Sequence, residues 1–211
     1  ANKINTLYGI VNGTTNYILG NVFSKGMSYE AALNKAIELG YAEADYSSDV
    51  DGVEVAYKIA LSLSLAYDCN VDTDDMQIFG IRYLDERAIE YAKSNGYVIK
   101  LIGYGDKDNA FVLPRFIKKE EVMASIPMNY NCIEIGSRNQ ESIKLIGQGA
   151  GGVPTADALV SDYYRPFDRL SIDNNLVIKN DMVCKVYIDG EISKMKISDI
   201  EKRDCFIGIV E

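Results

Sequence analysis

The chain has 211 residues, 47% of them hydrophobic, which suffices for one domain of ordinary size with a real core and a small appendage. Its 31 acidic and 22 basic residues give a formal net charge of -9, which argues against a phosphate backbone or an anionic membrane surface as partner. No apolar run approaches the ~20 residues that span a bilayer, and the opening Ala1-Asn2-Lys3-Ile4-Asn5 lacks the apolar core of a signal peptide. A cytoplasmic protein that binds neither nucleic acid nor membrane is expected. Histidine is absent, so proton chemistry falls to Lys, Asp, Glu or Tyr. Cys69, Cys132, Cys184 and Cys205 never approach C-x-x-C spacing. They suggest buried free thiols rather than a metal site or disulfide framework.

Ile4 to Val11 has the pattern of a short strand feeding the turn-favouring pair Asn12-Gly13. A helix follows through Phe23, with Thr14 or Thr15 as its cap and Tyr17, Ile18 and Val22 as its apolar stripe. A glycine turn entering a helix leaves free N–H groups able to hold an anion such as a carboxylate, although an ordinary strand-turn-helix link has the same pattern. Ser28 caps a second helix from Tyr29 to Leu39, which Gly40 stops.

The next stretch gathers the candidate chemistry. A loop carries Glu43, Asp45, Asp49 and Asp51, and a helix then opens at Gly52 with Glu54 and Lys58 four residues apart on one face. Anchors of both signs within a few ångströms suit an amino-acid-sized zwitterion. A solvated acidic turn with one surface ion pair has the same local pattern. The helix from Val53 to about Tyr67 is apolar on nearly all sides and reads as central and mostly buried. Lys58 is its only basic residue, so partial desolvation would suit it to proton chemistry, and a structural ion pair would also satisfy it.

A helix is expected from Arg82 to Lys93, stopped near Asn95-Gly96. The period then shifts toward two, and Tyr97 to Tyr104, Phe111 to Ile117, Asn131 to Ile135 and Ser142 to Ile146 are predicted strands. An α+β fold follows, with a mixed or antiparallel sheet carrying helices on one face. Gly147 to Ala156 is a dense glycine loop leading into a helix from Asp157 to about Tyr164. It allows close backbone approach to a ligand, although a tight turn has the same pattern, and it lacks the βαβ surroundings of a dinucleotide site. Arg165-Pro166-Phe167 marks a boundary between residues 1–166 and a small β-rich extension, 167–211, of no assigned role. In the extension Leu176 to Ile178, Met182 to Ile188 and Glu191 to Ile197 alternate, Asp189-Gly190 forms a hairpin turn, and Cys205 to Val210 is apolar.

The stretches Gly9 to Leu19, Leu39 to Glu43 with Asp49, Gly52 and Lys58, and Gly149 to Ala156 together resemble the catalytic region of homoserine dehydrogenase, from about Ile4 to Arg165 and in the family's order. The resemblance implies interconversion of L-homoserine and L-aspartate 4-semialdehyde with NAD or NADP, an amino-acid substrate and a homodimer formed through this region. Carried over residue by residue, it implies that Lys58 acts at the substrate hydroxyl and that Glu43 holds the amino group. Thr14, Tyr41 and Asp49 match pocket positions, and Gly149, Ala150 and Gly151 match a segment facing the cofactor. Glu54, assigned with Lys58 to the catalytic pair, falls where the family usually has Asp, and Ala44 and Tyr46 fall where it usually has prolines. The family's cofactor sits mainly on an N-terminal Rossmann domain whose fingerprint this sequence lacks. The expectation is an excised catalytic portion, inactive alone. The alternative is a non-catalytic homologue serving as an amino-acid-binding regulatory module.

Overall fold

The computed structural model describes residues 3–43, 45–139, 141–149, 151–164 and 174–210. In chain order the elements are β1 (Ile4–Ile10), α1 (Gly13–Lys25), α2 (Tyr29–Glu38), α3 (Ser47–Val50), α4 (Val53–Tyr67), β2 (Gln77–Ile78) and α5 (Glu86–Ser94). There follow β3 (Tyr97–Asp106), β4 (Ala110–Lys118), β5 (Tyr130–Ser137), β6 (Ser142–Gln148), α6 (Gly152–Tyr164), β7 (Val183–Ile188), β8 (Glu191–Lys196) and β9 (Ile207–Val210). Nine strands of the described residues form one mixed sheet in the order β6-β5-β1-β3-β4-β9-β7-β8, with β2 beside β4. The pairings of β4 with β2 and with β9 are parallel and the others antiparallel. This is the expected α+β arrangement.

Helices α1, α4 and α5 pack against β3. Alternate residues of the central strands, Leu7, Ile99, Leu101, Val112 and Phe116, enter the main core with Ile18, Val22, Val55, Ile59 and Leu63 of the helices. The intervening positions Ile10, Ile102 and Ile117 form a separate cluster with Met123, Ile126 and Cys132. Gly103 lets α4 settle on the sheet: a Cβ there would overlap the side chain of Ile59 and crowd that of Val55.

Several boundaries differ from expectation. The cap of α1 is Asn12, whose side chain accepts from Thr15 N, because both threonines are already inside the helix. Helix α5 starts at Glu86 behind the cap Asp85, not at Arg82. The segment before it is held elsewhere: Ile81 N donates to Val50 O at 2.7 Å, and Arg82 is paired with Asp51. Leu176 to Ile178 forms no strand, although Asn175 makes an isolated bridge to Asn70. Gly147 and Gln148 complete β6, and α6 already begins at Gly152, so the glycine loop is shorter than read.

Helix α4 keeps its expected bounds but buries only one side. Tyr57, Leu61 and Leu65 are 59%, 65% and 57% exposed along the other. Of the cysteines, all free, Cys69 and Cys132 are buried while Cys184 and Cys205 are half-buried. At the expected hairpin, Asp189 (φ 49) and Gly190 (φ 96) both take the left-handed conformation that joins β7 to β8 tightly. The boundary at Arg165-Pro166-Phe167 lies outside the described residues. Beyond it, β9 pairs with β4 and continues the same sheet.

Candidate functional site

The end of β1, the first turn of α1, the short α3 and the first two turns of α4 meet at one cluster. Asn12 is its centre, buried to 3% exposure. Its Oδ1 accepts from Thr15 N and Thr15 Oγ1, each at 2.8 Å, and its Nδ2 donates to Asp49 Oδ1 at 2.6 Å and Glu54 Oε2 at 2.7 Å. Gly52, at φ 85, makes the sharp left-handed link that lets α3 and α4 present Asp49 and Glu54 to the same amide. Lys58 Nζ donates to Glu54 Oε2 at 3.3 Å and to Val11 O at 3.1 Å. Thr14 Oγ1 donates to Tyr41 O at 2.6 Å, and the Tyr41 ring stacks on Tyr17 with centroids 4.5 Å apart.

Burial pushes the Asp49 carboxyl above its ordinary range. The Glu54 charge adds to that push, and the hydrogen bond from Asn12 opposes it. The Lys58 side chain is 45% exposed, so the desolvation expected of it is only partial. At that exposure the ion pair with Glu54 contributes about 0–1 kcal/mol to stability, and its value lies in orientation. The longer Glu54 side chain still reaches both Asn12 and Lys58.

The four loop carboxylates do not converge as expected. Asp49 joins the cluster, whereas Asp45 accepts from Ser47 N and Asp51 forms a bidentate pair with Arg82 at 2.6 and 2.7 Å. Glu43 is exposed in the same loop, and among the described residues its side chain is not hydrogen-bonded to the cluster. Gly149 sits over Asn131, where a Cβ would overlap the amide, and Gly151 takes φ 133. Both are exposed, while Ala150 lies outside the described residues. A cleft of about 1000 Å³ between α2 and α5, lined by Tyr29, Tyr46, Arg82 and Asp85, contains none of Asn12, Asp49, Glu54 and Lys58.

Asn12 and the buried Lys100 escaped sequence reasoning. Asn-Gly suggested only a turn, yet Asn is as good an N-cap as Ser. Lys100 lay within a predicted strand, and a lone lysine in the run Tyr97 to Tyr104 was the available signal.

Comparisons to known proteins assign this α+β sheet and its acid-amide-lysine cluster to a family. The family model for homoserine dehydrogenase matches residues 1–163. The homoserine dehydrogenase of Synechocystis sp. is 40% identical over 169 residues, covering 76% of this chain and 39% of that protein. That of Bacillus subtilis is 34% identical over 166 residues, covering 77% and 38%. Among solved structures, Staphylococcus aureus homoserine dehydrogenase at pH 6.0 superposes with TM-score 0.74 and 32% identity over 89% of this chain and 50% of that one. The Thiobacillus denitrificans enzyme gives 0.79 and 27%, over 89% and 48%. The chain belongs to the homoserine dehydrogenase family, and it spans half or less of the length of these relatives. The fold is also shared by a hyperthermophilic archaeal homoserine dehydrogenase in complex with NADPH, at TM-score 0.66 and 24% identity.

Proposed function

We propose that residues 1–211 form the substrate-holding and proton-handling part of a cytoplasmic homoserine dehydrogenase, which interconverts L-homoserine and L-aspartate 4-semialdehyde on the way to threonine and methionine. The observation that carries this reading is the convergence of Asn12, Asp49, Glu54 and Lys58 where α1 and α4 begin. Oxidising the alcohol removes a hydride from carbon and a proton from oxygen, so the site needs a group that can take and return a proton at the oxygen. Lys58 Nζ has that role, held by Glu54 and Val11 O. Glu43 carries the substrate ammonium, and Thr14, Tyr41 and Asp49 line the pocket. The nicotinamide of NAD or NADP supplies the hydride acceptor. Gly149, Ala150 and Gly151 would lend backbone to its site, most of which the family's nucleotide-binding domain would supply.

The protein acts as a homodimer. An apolar stripe of Tyr57, Leu61 and Leu65 on α4 supports this, since large exposed apolar strips mark interaction surfaces.

Absorbance at 340 nm tests the reading. Residues 1–211 alone are expected to form no NADH or NADPH from homoserine, because holding the two reactants in line can account for roughly 7–11 kcal/mol of a barrier. The same chain joined to the family's nucleotide-binding domain is expected to turn over. Sustained turnover by 1–211 alone would contradict the placing of the cofactor site.

A further inference from the structure

We propose that Asn12 is a positioning residue whose single amide clamps Asp49 and Glu54 into one acidic pair beside Lys58. Its functional consequence rests on the reading above. An Asn side chain has two N–H groups, and here each serves a carboxylate from a different element: Asp49 of α3 at 2.6 Å and Glu54 of α4 at 2.7 Å. The amide cannot be the other way round. Its oxygen faces Thr15 N, a backbone donor that requires an acceptor, and it simultaneously caps α1. The clamp is therefore built into the helix start, and the turn at Gly52 brings the two acids to it.

Two carboxylates so close repel each other, and without a shared donor the longer Glu54 would swing toward solvent and take Lys58 with it. Lys58 is tied to Glu54, and Asp51 is turned away to Arg82, so neither cation substitutes for the amide at Asp49. The separation of Asp49 from Glu54, and through Glu54 the placing of the lysine, depends on Asn12.

Substitution can separate the clamp from the cap. Asn12→Ser keeps a good N-cap oxygen and leaves one hydroxyl donor on a shorter side chain, which cannot serve two carboxylates, whereas Asn12→Asp keeps the cap and adds a third carboxylate. Thr15→Val loses one hydrogen bond to the cap oxygen and leaves the donor untouched. The readouts are the carbon-13 NMR titration of the Asp49 and Glu54 carboxyls in residues 1–211, the thermal midpoint, and calorimetric binding of L-homoserine.

In Asn12→Ser the Asp49 carboxyl is expected to titrate about one pH unit higher than in the unmodified chain. The shift should be larger in Asn12→Asp and absent in Thr15→Val, while homoserine binds about tenfold more weakly to both Asn12 variants. A titration of Asp49 unchanged in both Asn12 variants would overturn the proposal. Failure of the unmodified chain to bind homoserine would count against the functional reading, and the titration would still decide the role of Asn12.

Discussion

Lys100 lies on β3 with 4% of its surface exposed, and Nζ donates to Asn16 Oδ1 at 2.7 Å and Ile126 O at 2.8 Å. Both are neutral acceptors, so burial dominates and lowers its pKa from 10.5 to about 8. The folded chain thus releases this proton before the unfolded chain does. Between pH 8 and 10.5 the unfolded state binds more protons, and stability from this group rises with pH by roughly 3 kcal/mol across the window. Tyrosines raised by burial, such as Tyr29 at about 12, lose their contribution above pH 10, and the thiols of Cys69, Cys132, Cys184 and Cys205, also pushed up by burial, begin to lose theirs lower, so the contribution of Lys100 is read as a difference between two chains that share these groups. Urea unfolding from pH 7.5 to about 9.5 is expected to show the stability of the unmodified chain gaining on that of Lys100→Met as pH rises; equal slopes would contradict the assignment. At this scale the sequence was partly legible. Glu54 and Lys58 meet because helical spacing requires it, whereas Lys100 and Asn12 acquire their partners from residues up to 84 positions away, which no local pattern encodes.

Elements whose ends are decided locally were readable. Ser28 caps α2 through Ala31 N, and α4 runs from Val53 to Tyr67 as expected, because caps and apolar periodicity act within a few residues. The start of α5 was misread because Ile81 and Arg82 are held by Val50 and Asp51 across the fold. The exposed side of α4 was misread because its apolar residues look the same whether they face this core or another surface. Gly103 provides the test at this scale. Its replacement by Ala would push a methyl into Ile59 and Val55, and overpacking of this kind costs about 1–3 kcal/mol. Gly103→Ala is expected to lower the thermal midpoint, with Ile59→Val in the same chain recovering part of the loss. An unchanged midpoint would mean that α4 is not seated as described.

For the whole molecule, the strand inventory was largely legible and the strand order was not. Nothing local places β1 between β5 and β3, or sends β9 back to lie parallel to β4, since such pairings depend on long-range closure. The appended strands were expected as a separate extension, and they prolong the same sheet. Sedimentation tests the proposed dimer: at tens of micromolar the chain is expected to run at twice 23.4 kDa, and Leu61→Glu should shift it toward monomer. A strictly monomeric unmodified chain would contradict the role given to the α4 stripe.

The central claim is that Lys58 handles the hydroxyl proton in a site assembled by Asn12, Asp49 and Glu54. Its most direct test is the homoserine-dependent turnover of the chain joined to its nucleotide-binding domain, with and without Lys58→Ala. The fold should be unaffected, because Lys58 contributes only an exposed ion pair and one backbone hydrogen bond. Turnover is expected to fall by ~100-fold or more, as when a proton-transferring group is removed. A variant that folds normally and turns over at nearly the unmodified rate would contradict the account and leave Lys58 as a structural partner of Glu54.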